Sequence, residues 1–290
     1  MPIVRAQAVQ TLIAVGDALA KPLDADGKVL GLVEVPRNPD SNVANQVVHR
    51  RRELLRWIAD QESVLGSPAR LGILVRVVHN VPLGIREAVY ETGANLVVIE
   101  WPGPTSPRAG TLASVLDDLS SSPPADLVFV RPSSHGLEVS GRPIRIVVPI
   151  RGGVNARLAL KVATRLSAAW GGVMSLLHVV DANHHPDRRA HDLATARAIA
   201  STQPSATLIV NETAGTGQAI VSAAAEADVV VLGAYSEAGR YPVLMRPELA
   251  EALSAIEGML ILVRSPQLDT EVPADGEPVE TTRQAEPTDP

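Results

Sequence analysis

Gly152 and Gly153 stand between an apolar run ending at Ile150 and a stretch of helical periodicity starting at Asn155. Consecutive glycines in such a place can turn their N–H groups toward an anion. The same pair suits a strand-to-helix turn with positive φ, capped by Asn155, and the two readings are compatible. Gly215 and Gly217 open like a dinucleotide fingerprint after TLIVNE, but Ile220 stands where the third glycine belongs, so a turn before a helix is expected. His184, His185 and His191 gather with Asp181, Asp187 and Asp192 in NHHPDRRAHD. Imidazoles and carboxylates suit zinc or nickel, yet this spacing matches no closed site, and a solvated connection is the expectation. Arg50–Arg52 neighbours Glu53, Asp60 and Glu62, the pattern of a solvated helix face. The sequence contains no G-x-S-x-G elbow, no Walker lysine loop and no H-E-x-x-H.

Composition narrows the chemistry further. Across 290 residues, 46% are apolar and 20% charged, enough apolar material for packed cores in one large or two modest domains. Only seven side chains are aromatic, poor equipment for stacking bases. There is no cysteine, which removes disulfides, thiolate metal sites and thiol nucleophiles. Residues 266–290 hold seven acids and one base, the whole formal charge of −6, so the body is neutral. A neutral body has no basic excess to neutralise phosphates, and nucleic acid is not an expected partner. No apolar run is long enough to span a bilayer and no secretory leader is visible, so a cytoplasmic protein without membrane insertion is expected.

The elements that must position any site repeat along the chain. ANLVVIE from Ala94 answers ADVVVLG from Ala227, and DLVFVRP, with Val130 and Arg131, answers LILVRSP, with Val263 and Arg264; both pairs are 133 residues apart. VLGLVEV from Val29 answers VMSLLHVV from Val173. One offset shared by two pairs signals duplication. The runs are short, β-branched and without polar alternation, as in strands buried on both faces of a parallel sheet. Between them lie helical stretches, Asn155 to Trp170 and Val43 to Leu65. Strands alternating with helices predict βαβ units and a doubly wound α/β sheet. Two tandem five-stranded domains are expected at 1–132 and 143–265, with a linker at 133–142 and a disordered acidic tail at 266–290. The second domain opens with IRIVVPI, whereas the first has only Met1, Pro2 and Ile3 in the matching place. The first domain therefore lacks most of its first, central strand, as if the chain began inside a longer ancestor or its start were misassigned.

With these runs in place, the chain resembles the universal stress protein family in tandem arrangement, over nearly everything up to Arg264. The resemblance implies five-stranded parallel sheets. It also implies ATP at the carboxyl ends of the first and fourth strands, under a signature G-x2-G-x9-G-[S/T]. In the first domain the signature falls on Glu100, Gly103, Ala113 and Ser114, so one glycine and the terminal Ser remain. In the second it falls on Gly233, Ser236, Arg246 and Pro247, and only the first glycine remains. Pro247 also lacks an N–H that a phosphate cradle would use. The family's acidic residue after the first strand is replaced by Arg151, following Pro149 and Ile150, and by Val4 in the first domain. Arg151 and Arg246 could hold another anion or fill the vacated space. Segments from Val75, Ala113 and Val148 also resemble the stress-protein modules fused to amino-acid permeases and cation antiporters, which implies a transporter as partner.

The resulting expectation is a non-enzymatic, regulatory or ligand-sensing module with degraded nucleotide motifs. The alternative is an ATP-binding protein with weak ATPase activity at Gly103 and Ser114. ATP is the one cofactor the resemblance implies, and the residues themselves name none. The final strands, around Val128 and Leu262, are expected at sheet edges, where pairing within the chain gives a pseudo-dimer and pairing between chains a homodimer.

Overall fold

The computed structural model describes residues 6–35, 47–49, 51–53, 55–57, 60, 71–103, 109–134, 142–151, 153–213, 215–234 and 247–266. The acidic tail beyond Pro266, residues 135–141 of the linker, and Gly152, Ser236 and Arg246 lie outside them. Most of the Val43–Leu65 stretch does too, although the described residues between 47 and 60 are helical.

The first half runs α1 (Ala6–Ala20), β1 (Gly27–Glu34), β2 (Leu71–Val78), α2 (Val81–Thr92), β3 (Leu96–Glu100), α3 (Ala109–Ser121) and β4 (Asp126–Arg131). The second runs β5 (Arg145–Pro149), α4 (Gly153–Trp170), β6 (Val173–Val180), α5 (Pro186–Ser201), β7 (Ala206–Glu212), α6 (Thr216–Ala224), β8 (Val229–Gly233), α7 (Pro247–Ser254) and β9 (Met259–Arg264). The repeat is preserved to the residue. β3 and β8, like β4 and β9, begin and end 133 positions apart.

Seven strands form one sheet in the order β3-β4-β9-β8-β5-β6-β7, and β1 and β2 form a second, two-stranded parallel sheet. Every ladder is parallel except β4–β9, which sets Val128 against Val263 and Phe129 against Leu262 in antiparallel register. The two final strands thus hide each other's edges, which removes two open ladders at once. The second half alone has the expected five strands, with β5 central between β6 and β8. In the first half the corresponding central strand is missing among the described residues, so β1–β2 and β3–β4 stand apart.

The sheet lies between two helical layers. Val128, Val148, Val231 and Ile261 face α1, α4 and α5, while Leu127, Phe129, Val147, Val230 and Leu260 face α2, α3, α6 and α7. Strands covered on both faces are largely apolar, and all six residues of β9 are buried, five of them apolar and the last Arg264. No helix among the described residues is long and apolar enough to cross a membrane.

Candidate functional site

In a doubly wound sheet, ligands sit beyond the carboxyl ends of the strands where the strand order reverses. In the second half that place is between β5 and β8. Gly153 begins α4 with φ +82°, the left-handed conformation that favours glycine. Asn155 does not cap its own helix. It lies inside α4, 4% exposed, and its Nδ2 donates to the Ala234 carbonyl at 2.9 Å while its Oδ1 accepts from the Ser265 amide at 2.8 Å. One side chain therefore ties the start of α4 to the residues that follow β8 and β9. Gly233 is the glycine that this closeness demands. A Cβ there would stand 2.8 Å from the Asn155 carbonyl carbon and 3.0 Å from its Cβ.

Around this point the remaining expected residues scatter. Pro149 is the half-buried last residue of β5, and Arg151 is exposed beyond it. Pro247 is the first residue of α7, where its missing N–H disturbs no helical bond. His178 of β6 is 6% exposed, and its Nδ1 lies 3.0 Å from the Ile150 carbonyl. A carbonyl only accepts, so Nδ1 carries the proton and donates, pinning the residue that follows β5.

In the first half the corresponding place lies beyond β3. Glu100, where the signature has glycine, is 6% exposed, and Trp101 after it donates its N–H to the Val130 carbonyl at 2.8 Å. Gly103 takes φ +96°, and a Cβ there would meet Cδ of Arg131 at 3.1 Å. Ala113 and Ser114 do not open a helix. They lie inside α3, which begins at Ala109, so their N–H groups fall past the first turn, where helical N–H groups are already bonded.

Arg131 organises this end. Its Nη1 donates to the Leu253 carbonyl at 3.1 Å, and its Nη2 donates to the Ile256 carbonyl and to the Gly258 carbonyl at 3.1 Å. A cation from the first half thereby satisfies carbonyls left open at the end of α7 in the second. Burial lowers its pKa, although a guanidinium stays charged throughout the usable range. Beside it opens a cleft of 440 Å³, lined by Pro102, Ser133, Ser134, Ser254 and Glu257.

The histidine–aspartate group brings its rings and carboxylates close in pairs. His184 sits 3.8 Å from Asp181 and 3.5 Å from Asp192, and the exposed His185 lies 3.4 Å from Asp187. No set of three metal-capable side chains converges among the described residues. Gly215 immediately precedes α6. Arg51 and Arg52 are exposed on the helical stretch.

Arg131, Asn155 and His178 gained no functional role from sequence. Their partners lie 28 to 127 residues away, beyond any local motif. Arg131 alone left a signal, since the repeat sets Arg264 at the same place on β9.

No family model and no curated protein matches the sequence. Solved structures do match. A universal stress protein from Archaeoglobus fulgidus DSM 4304 superposes with a TM-score of 0.63 at 13% identity, over 90% of this chain and 93% of that one. The chain has the tandem universal stress protein fold. A putative universal stress protein from Pseudomonas aeruginosa UCBPP-PA14 shares that fold with a TM-score of 0.52 at 12% identity, over 88% of each chain. The cytoplasmic domain of a prokaryotic cation chloride cotransporter shares it too, with a TM-score of 0.52 at 13% identity, over 83% of this chain and 96% of that domain.

Proposed function

We propose that this chain is a non-enzymatic tandem universal-stress-protein-like module, a regulatory or ligand-sensing unit of the cytoplasm whose two crevices no longer take ATP. The observation that carries this reading is the seat of Asn155. Its amide group donates to the end of β8 and accepts at the end of β9, and Gly233 serves the close approach of α4. A glycine kept for a tight protein contact is not a glycine kept for a phosphate. Glu100 adds to this, because a buried carboxylate at the carboxyl end of β3 opposes a polyphosphate. The rival reading, weak ATPase activity at Gly103 and Ser114, has the positive φ of Gly103 in its favour, but it loses the helix start it needs at Ser114.

A module that does no chemistry acts through what it holds or touches. Stress response and the regulation of a transport protein are the two settings that the fold's relatives suggest, the second because a cotransporter's cytoplasmic domain shares the fold.

The test is to extract small molecules from the purified chain for mass spectrometry and to titrate the emptied protein with ATP by calorimetry. Absence of nucleotide and a flat titration are expected. ATP in near-stoichiometric amount would overturn the proposal.

A further inference from the structure

At one end of the seven-stranded sheet, β7 is laddered among the described residues only to β6. An end strand leaves a row of N–H and C=O groups unpaired, and proteins blunt such edges with charged residues or proline. β2 stands beside β1 as β7 stands beside β6, and it is blunted. Arg76 sits in it, bonded to Glu91 and 3.7 Å from Glu87. β7, with the sequence ATLIVNE, has no lysine, arginine, proline or glycine. Its one charge, Glu212, lies at the end of the strand and accepts from Arg189. Helix α5 packs on β7, and Leu208 joins the core on that side. Ile209, which faces the other way, is 39% exposed, and Val210 is 40% exposed.

We propose that β7 is where two copies of this chain meet: each β7 pairs antiparallel with the other about a twofold axis at Ile209, joining the two sheets edge to edge. The strand's own sequence selects a second copy as the occupant. Antiparallel pairing about its midpoint sets Ile209 opposite Ile209, Leu208 opposite Val210, Thr207 opposite Asn211 and Ala206 opposite Glu212. Apolar side chains meet at the centre and polar ones at the rim, the layout of a self-complementary interface. Like charges nowhere oppose, since the two Glu212 fall at opposite ends of the ladder. A register shifted by one residue would set Thr207 opposite Val210, or Leu208 opposite Asn211. The body of the chain, 1–265, is neutral, so net charge does not hold two copies apart. The edges that first suggest a homodimer, those of β4 and β9, are already spent on each other, in the same antiparallel sense. This proposal is independent of whether either crevice binds ATP.

The test uses the full chain. Sedimentation velocity should show a reversible monomer–dimer equilibrium. Hydrogen exchange in residues 206–212 should slow as concentration rises, while residues 71–78 stay unchanged. Ile209→Lys sets two positive charges face to face on the axis and should weaken the dimer about tenfold or more. The side chain is exposed in the single chain, so circular dichroism should show the fold retained. The chain has no cysteine, so introduced ones report the register. Directly opposite residues of an antiparallel pair have Cα atoms about 4.5–5.5 Å apart, within disulfide reach. Under mild oxidation Ile209→Cys should therefore cross-link to itself. Thr207→Cys should not, yet it should cross-link when mixed with Asn211→Cys. Several outcomes would overturn the proposal: a chain still monomeric at roughly 1 mM, a dimer that leaves exchange in 206–212 unchanged, protection there that does not vary with concentration, an Ile209→Lys dimer as tight as the wild type's, or Thr207→Cys cross-linking to itself as readily as Ile209→Cys.

Discussion

A methyl group at position 233 would stand 2.8 Å from backbone atoms that cannot swing aside. Gly233→Ala should therefore lower stability by about 1–3 kcal/mol, measured by urea unfolding. Asn155→Ala should cost a similar ~1–3 kcal/mol by stranding the Ala234 carbonyl and the Ser265 amide, with fold retained by circular dichroism. Asp228 governs a different response. Arg142 grips it through two hydrogen bonds at 2.6 and 2.7 Å, and the Arg145 amide adds a third at 2.8 Å. The Arg142 side-chain hydrogen bonds chiefly hold its carboxyl below the ordinary carboxylate pKa, against a smaller opposing effect of burial. A depressed folded-state pKa means that the stabilisation is complete above the unfolded value, about 3.9, and is lost as pH falls through the folded one. Acid titration of stability below about pH 4 should lose part of its steepness in Asp228→Asn, while stability at pH 7 falls by about 1 kcal/mol, since Arg142 is half exposed. The glycine turn at Gly153 was legible because its conformation follows from its own residue type. The clasp made by Asn155 was not, because its partners lie 79 and 110 residues away.

Among elements, α7 depends on a residue outside its own half. Arg131→Met keeps much of the aliphatic stem beside Gly103 but removes the donors to the Leu253, Ile256 and Gly258 carbonyls. The expected loss is about 1–3 kcal/mol. Exchange protection should drop first in residues 247–258, whereas damage confined to residues 126–131 would contradict a capping role. Strands were the elements best read in advance, because a run without polar alternation has few alternatives in an α/β chain. The start of α3 was not legible. A glycine-serine signature marks a helix start only where a ligand-binding turn is kept, and here Ala113 and Ser114 continue a helix already begun at Ala109.

The whole molecule is held across its repeat by the antiparallel pairing of β4 and β9. Phe129 is fully buried in that seam against Leu262. Phe129→Ala should cost about 3–5 kcal/mol, and wild-type protein should unfold in one cooperative transition. Small-angle scattering should describe a single rigid particle, and halves that tumble independently by NMR relaxation would contradict the seam. The common offset of 133 made the duplication visible in the sequence, and the apolar final strands announced edges that needed cover. What surrounds the place of the central strand, which no described residue fills, was not legible. Whether β1 and β3 close up or stand apart depends on helix α1 spanning both, a packing fact and not a sequence pattern. The antiparallel seam has one more consequence. Because β3 and β4 run opposite to the five strands of the second half, the crevice at Gly103 and the crevice at Gly233 open at opposite rims of the sheet. A flat partner such as a membrane surface can therefore meet only one of them at a time, which makes the molecule two-ended, like a coupling placed between two things and not a clamp closing on one.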